Sequence, residues 1–191
     1  MILKASQRGH AKELAHHLLN GDTNEHVTVH EIKGFVSKDI IGAFEEAHAV
    51  SLGTKCKQFL FSLSLNPPEI ENPTIEDFEA AIAKAEKALG LEGQPRIIVF
   101  HEKLGRRHCH CVWSRIKTDT MTAINMAHFK RKLNKLAKSL YLKHGWDMPQ
   151  GFKEEALTHP DPENYALPEW QQSERLRKSP EALRTFFKEC W

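Results

Sequence analysis

Two apolar segments, residues 96–101 and 108–116, flank the six-residue stretch Glu102-Lys-Leu-Gly-Arg-Arg107. This arrangement constrains the fold more than any other part of the chain. Both segments are rich in β-branched and aromatic residues, which suit a pleated, half-buried surface. Gly105 supplies the left-handed backbone that a tight reversal needs. The spacing predicts an antiparallel hairpin, and a lone hairpin is marginal in water, so further strands must complete a sheet. In His108-Cys109-His110 the period of two sends both imidazoles to one face and Cys109 and Cys111 to the other. With the turn at Leu104-Gly105, His101 falls nearly opposite His108, and three imidazoles converge.

The rest of the chain offers the partners such a hairpin requires. Residues 1–4 read as a short strand, and residues 9–20 carry Leu14, Leu18 and Leu19 at helical spacing before the Asn20-Gly21 turn. Residues 26–33 alternate as a strand. Ser37 is placed to cap a helix carrying Ile40, Ile41, Phe44 and Ala47, and residues 58–65 alternate again until Asn66-Pro67-Pro68. Thr74 caps a helix to Leu89 that Gly90 ends, and residues 127–144 form a helix with Phe129, Leu133, Leu136 and Leu140 facing inward. Strands and helices thus alternate along the chain, an α+β pattern. Residues 147–168 contain Pro149, Pro160, Pro162 and Pro168 and read as a linker, after which Ser179-Pro180 opens a last helix. The organisation is thus a domain over residues 1–146 and a helical extension over 147–191, leading to further domains in a longer protein.

Three imidazoles on one face suit a divalent cation with open positions that can take phosphate oxygens and stabilise charge on a phosphoryl group. Nitrogen ligands favour zinc, nickel, cobalt or manganese, and abundance favours magnesium, so the ion's identity is open among Mn, Mg and Zn above all. A structural zinc site is the competing reading, but the cysteines face away and are more simply small buried residues. The net charge of +2 is unremarkable. Its distribution is not: Arg106, Arg107, Arg115, Lys130, Arg131, Lys132 and Lys135 lie in a basic stretch from Lys103 to Trp146 opposed by Asp119 alone, as phosphate neutralisation requires. A merely solvated helix face is the alternative. No apolar run approaches a membrane span and no secretory signal is legible at Met1, so a soluble cytoplasmic protein with reduced cysteines and no membrane insertion is expected.

The run His101-Glu102-x5-His108-x-His110, continuing into Cys111-Val-Trp-Ser-Arg-Ile116, resembles the signature hairpin of the relaxase, or mobilisation nuclease, family within the HUH endonucleases, notably the type P plasmid relaxases. The likeness extends to Phe61-Ser-Leu-Ser-Leu-Asn-Pro-Pro68 and to the opening strand and helix, about residues 1–145 in all. It implies an α+β fold of HUH nuclease type, a central antiparallel sheet flanked by helices, and a metal at the scissile phosphate held by His101, His108 and His110, with Glu102 as a ligand or supporting partner. It also implies single-stranded DNA nicked at an origin of transfer, with relaxosome accessory proteins and a type IV secretion coupling protein as partners. The family's nucleophilic tyrosine is missing from the opening helix, which reads Ala15-His16-His17-Leu18-Leu19, and the two tyrosines are Tyr141 and Tyr165. His17 stands in its place, and histidine is a competent nucleophile toward an activated phosphodiester. Otherwise His16 and His17 simply stabilise a helix C-terminus. A rolling-circle replication initiator and a non-catalytic single-stranded DNA-binding module are the competing functions.

Overall fold

The computed structural model describes residues 1–21, 24–152 and 167–189. They form two compact units, Met1–Trp146 and Asp147–Trp191. The first is an α+β unit in the chain order β1 (Ile2–Arg8), α1 (Ala11–Leu19), β2 (His26–Lys33), α2 (Ile40–Leu52), β3 (Leu60–Asn66), α3 (Ile75–Leu89), β4 (Arg96–Lys103), β5 (Arg106–Ser114), β6 (Ile116–Lys117), β7 (Thr122–Ala123) and α4 (Phe129–His144). Five strands build one sheet in the order β1-β3-β5-β4-β2, every pairing antiparallel, and β6 and β7 form a small separate ribbon.

The β4–β5 hairpin closes as its sequence demands, with His101 paired to His108 and Lys103 to Arg106. Its two turn residues both have positive φ, 53° at Leu104 and 68° at Gly105, which matches the mirror-image turn that fits the twist of paired strands. Alternation along β5 then divides the molecule. Cys109, Cys111 and Trp113 face α3 and α4, where Phe78 packs edge-on to Phe100 and Phe61 to Phe129. On the opposite face Ile97, Val99 and Val112 join Leu14, Leu18, Ala43, Phe44 and Ala47 of α1 and α2 in one buried cluster. Burial of each such large side chain contributes roughly 1.5–3 kcal/mol.

Several elements depart from their sequence readings. β1 runs to Arg8 rather than stopping at Lys4, because backbone pairing with β3 carries its polar half along the sheet edge. Asp39, not Ser37, caps α2: its carboxylate accepts from the Gly42 amide at 2.8 Å, while the Ser37 hydroxyl donates to that carboxylate at 2.9 Å. The Ser37 hydroxyl lies against Gly42 of the first turn but is taken up by Asp39, accepting from its amide and donating to its carboxylate, rather than by a helix amide. α4 begins at Phe129 and buries Leu133, Ala137, Leu140 and Tyr141, with Phe129 and Leu136 only half-buried. Thr74 and Asp77 cap α3 reciprocally, and Gly90 closes it in the left-handed conformation at φ 72°.

The second unit contains a short helical turn, Gln150–Phe152, then α5 (Leu167–Leu176) and α6 (Pro180–Glu189). Ser179 caps α6 by accepting from the Ala182 amide at 3.2 Å, with Pro180 in the first turn. Most of the linker read at 147–168, and with it Tyr165, lies outside the described residues. No described helix is long and apolar enough to cross a membrane.

Candidate active site

The register that pairs His101 with His108 places both on the sheet face covered by α1, and the two-residue period adds His110. Ring centroids are 5.1 Å apart for His101 and His108, 4.7 Å for His101 and His110, and 5.2 Å for His108 and His110. One ligating nitrogen from each ring lies within 4.8 Å of the others. His101 is buried, and its Nε2–H donates to the Leu18 carbonyl of α1 at 2.8 Å, which fixes the ring and leaves the Nδ1 lone pair for a ligand. Burial is the main force on all three titrations. It holds His101 below the ordinary histidine range, His108 at about 4 and His110 at about 3, the neighbouring imidazoles adding repulsion for the latter two. All three rings are therefore neutral at pH 7, the form that binds metal. Three neutral imidazoles crowded at ligand spacing fit a divalent cation.

α1 delivers a fourth imidazole. Leu14, Ala15 and Leu18 anchor the helix on the sheet, which leaves His16 and His17 exposed in its last turn. The His17 ring stands edge-on to His110 with centroids 5.8 Å apart. Together they line a cleft of about 230 Å³ with Lys4, Ser6, Arg8, Ser62 and Ser64. His16 is not among the residues of that cleft.

A family model for relaxases, described as MobA/VirD2-like nuclease domain, matches residues 11–146. The chain belongs to this relaxase family. It is accordingly a DNA-nicking nuclease domain, of a DNA endonuclease and transesterase family, and a DNA-binding one. No curated protein matches the chain. Within the relaxase domain, His101, His108 and His110 stand together and His17 stands beside them, whereas other residues singled out in the sequence lie elsewhere.

Glu102 points to the face opposite His101 and pairs with Arg107, Oε1 lying 2.6 Å from Nη2, so it is not a member of the imidazole cluster. Arg115, read in the sequence as a DNA contact, is buried: its guanidinium donates to the Gln58 carbonyl at 2.7 Å, the Ile124 carbonyl at 2.8 Å and the Gln7 side chain. It ties β6 and β7 to the ends of β1 and β3, and a charge so enclosed does not meet a phosphate. Trp113 is wholly buried and donates to Glu86 at 2.7 Å, so it offers no surface on which a base could stack. Trp146 stacks on His144 at 4.3 Å instead. Tyr141 is buried in α4, on the far side of the sheet from the imidazoles.

The remaining cations divide. Arg106 and Arg107 line a cleft of about 270 Å³ with Lys103, Asn66 and His108, and Arg106 also reaches Glu69 at 2.8 Å across the surface. Lys130 shares a groove with Lys4 around the β1 edge. Arg131, Lys132 and Lys135 are exposed on α4, which packs against the other face of the sheet. Lys4, Arg8, Ser62 and Ser64 were the residues that sequence reasoning missed. The signal was present in part: Lys4 and Ser6 flank Ala5, Ser62 and Ser64 flank Leu63, and the two strands register directly, Lys4 on Ser64 and Ser6 on Ser62.

Proposed function

We propose that this domain nicks one DNA strand at the transfer origin of a plasmid or integrative element by reversible transesterification, leaving a 5′-phosphoryl enzyme and a free 3′-hydroxyl. The observation that carries this reading is His17 exposed in a cationic cleft beside three neutral, converging imidazoles. A divalent cation held by His101, His108 and His110, whether Mn, Mg or Zn, supplies Lewis-acid stabilisation of the charge on the transferring phosphoryl oxygens. Lys4 and Arg8 orient the strand by its phosphates, with Arg106 and Lys103 on the hairpin side. A lone pair of the His17 imidazole forms the P–N bond as the P–O3′ bond breaks. The proton on the ring's other nitrogen balances the one taken up by the departing 3′-oxygen. The phosphoryl bond is conserved, so attack by the 3′-hydroxyl in reverse rejoins the strand, and no nucleotide cofactor is needed. Accessory proteins of a relaxosome and a type IV secretion coupling protein are the partners this role implies. Residues 147–191 lie beyond the matched region, and we assign them no part in cleavage.

The test compares His17→Ala with the wild type on labelled single-stranded DNA carrying the cognate transfer origin. Loss of a nucleophile should reduce nicking by at least roughly 100-fold. Metal binding by calorimetry and DNA binding by anisotropy should persist. Nicking that survived in His17→Ala would transfer the role to another group, and a wild type that bound DNA and metal but never cut would make the domain a binding module.

A further inference from the structure

The cationic cleft beside His17 does not end at Arg8. Arg8 also lines a larger cavity, about 630 Å³, at the far end of β1, where the β1–α1 turn meets the end of α2 and the segment entering β3. The volume lies within the range of about 300–1,000 Å³ typical of small-molecule sites. The turn is packed backbone to backbone: a Cβ on Gly9 would stand 2.3 Å from the Lys57 carbonyl oxygen, so only glycine permits that approach. His10, His48, Lys57 and Gln58 surround the space, and no carboxylate lines either this cavity or the cleft. The His48 ring is exposed and braced against the buried Phe59, centroids 5.4 Å apart. Among the described residues, Lys4, Arg8 and Lys57 form no ion pair. Lys4 and Arg8 share the imidazole face of β1 and, four residues apart, are separated by roughly 13 Å along the strand. The hairpin-side cleft, the imidazoles, the His17 cleft and this cavity therefore follow one another along the sheet.

We infer that the cavity is a nucleotide site for the strand being nicked, holding a base at a fixed distance from the scissile phosphate. This rests on the nicking function proposed above. Arg8 contacts the phosphate between nick and cavity and Lys57 the one beyond it. His48 stacks on the base, and His10 and Gln58 address its edge. A pocket of this kind selects the nucleotide at one position of the origin while the imidazole centre acts on any phosphodiester set before it.

The test is fluorescence anisotropy of the full chain with a labelled 20-nucleotide single strand of randomised sequence, in chelator, across a salt series. Lys57→Ala should lower the slope of log affinity against log salt by about 0.7, the share of one single-strand phosphate. His48→Ala should leave that slope unchanged and weaken binding roughly tenfold, the worth of one stacked base. Manganese binding by calorimetry should match wild type in both, showing the imidazole centre intact. If both variants bind the strand as wild type does, with the same slope, the cavity is off the DNA path and the inference is overturned while the nicking centre stands. If the wild type itself binds no single strand, the proposed function falls, and the cavity's role with it.

Discussion

Alternate residues of β5 build two different environments from one strand. On one face Cys109, Cys111 and Trp113 are sealed beneath α3 and α4, all essentially without solvent exposure. On the other, His108 and His110 stand half-buried beside α1, which turns its exposed His17 toward them. The first face is closed by large apolar contacts and by a charge-assisted network in which Glu86 accepts from both Trp113 and Arg96 at 2.7 Å. The second is left open where α1 ends, so the same sheet that supplies rigidity also holds a reactive surface. What separates the faces is solvent access rather than residue position: burial raises the Cys111 thiol well above its ordinary range and lowers the imidazoles, keeping both sets neutral. Only the imidazoles can then meet a ligand.

The contrast can be broken most strongly from the closed side. Trp113→Ala should cost about 3–5 kcal/mol of stability, through a cavity under α3 and an indole bond lost from Glu86. Urea titration measures it, and manganese affinity of the fraction still folded should be unchanged. A metal site lost along with the tryptophan would mean that the two faces are not separable.

From the open side, His108→Ala should lower nicking by at least roughly 100-fold, the scale of removing one preorganised electrostatic group. Unfolding in chelator should move by less than about 1 kcal/mol, because a half-exposed imidazole adds little packing. A large loss of stability instead would make the histidines structural.

Acidity gives the smallest and most graded effect. The folded-state values of His108 and His110 lie below the ordinary 6.5, so between pH 6.5 and about 4 the unfolded chain binds more protons than the folded one. Their contribution to stability is complete above pH 6.5 and is lost as pH falls, toward about 4 for His108 and about 3 for His110. Between pH 8 and about 4, metal affinity should fall only below the ordinary histidine range, and most steeply as His108 protonates at about 4. A site of ordinary histidines would already weaken near 6.5, and calorimetry across this range distinguishes the two.

The hairpin was legible because local chemistry and long-range pairing agree there. Gly105 marks the turn, and alternation across it fixes which side chains share a face. The helix α3 was legible by periodicity and caps, and α4 by periodicity. What the sequence did not disclose were features decided by tertiary register. Arg115 belongs to a basic stretch in the chain but is enclosed by Gln7, Gln58 and Ile124, residues distant in sequence. Glu102 adjoins His101 along the strand, yet the pleat sends it to Arg107. The cations of α4 read as one patch with the hairpin, whereas packing on Phe61 carries that helix to the other side of the sheet. Lys4 and Arg8 gain their place only through β1 pairing with β3 beside the imidazoles.

The central claim, that His17 is the group joined to DNA, is tested most directly by trapping the covalent adduct. Wild-type protein with manganese and labelled origin DNA is resolved on a denaturing gel before and after mild acid. The account predicts a protein–DNA band that acid removes, as a P–N bond requires, and that is absent for His17→Ala. An acid-stable band, or one that persists in His17→Ala, would contradict it.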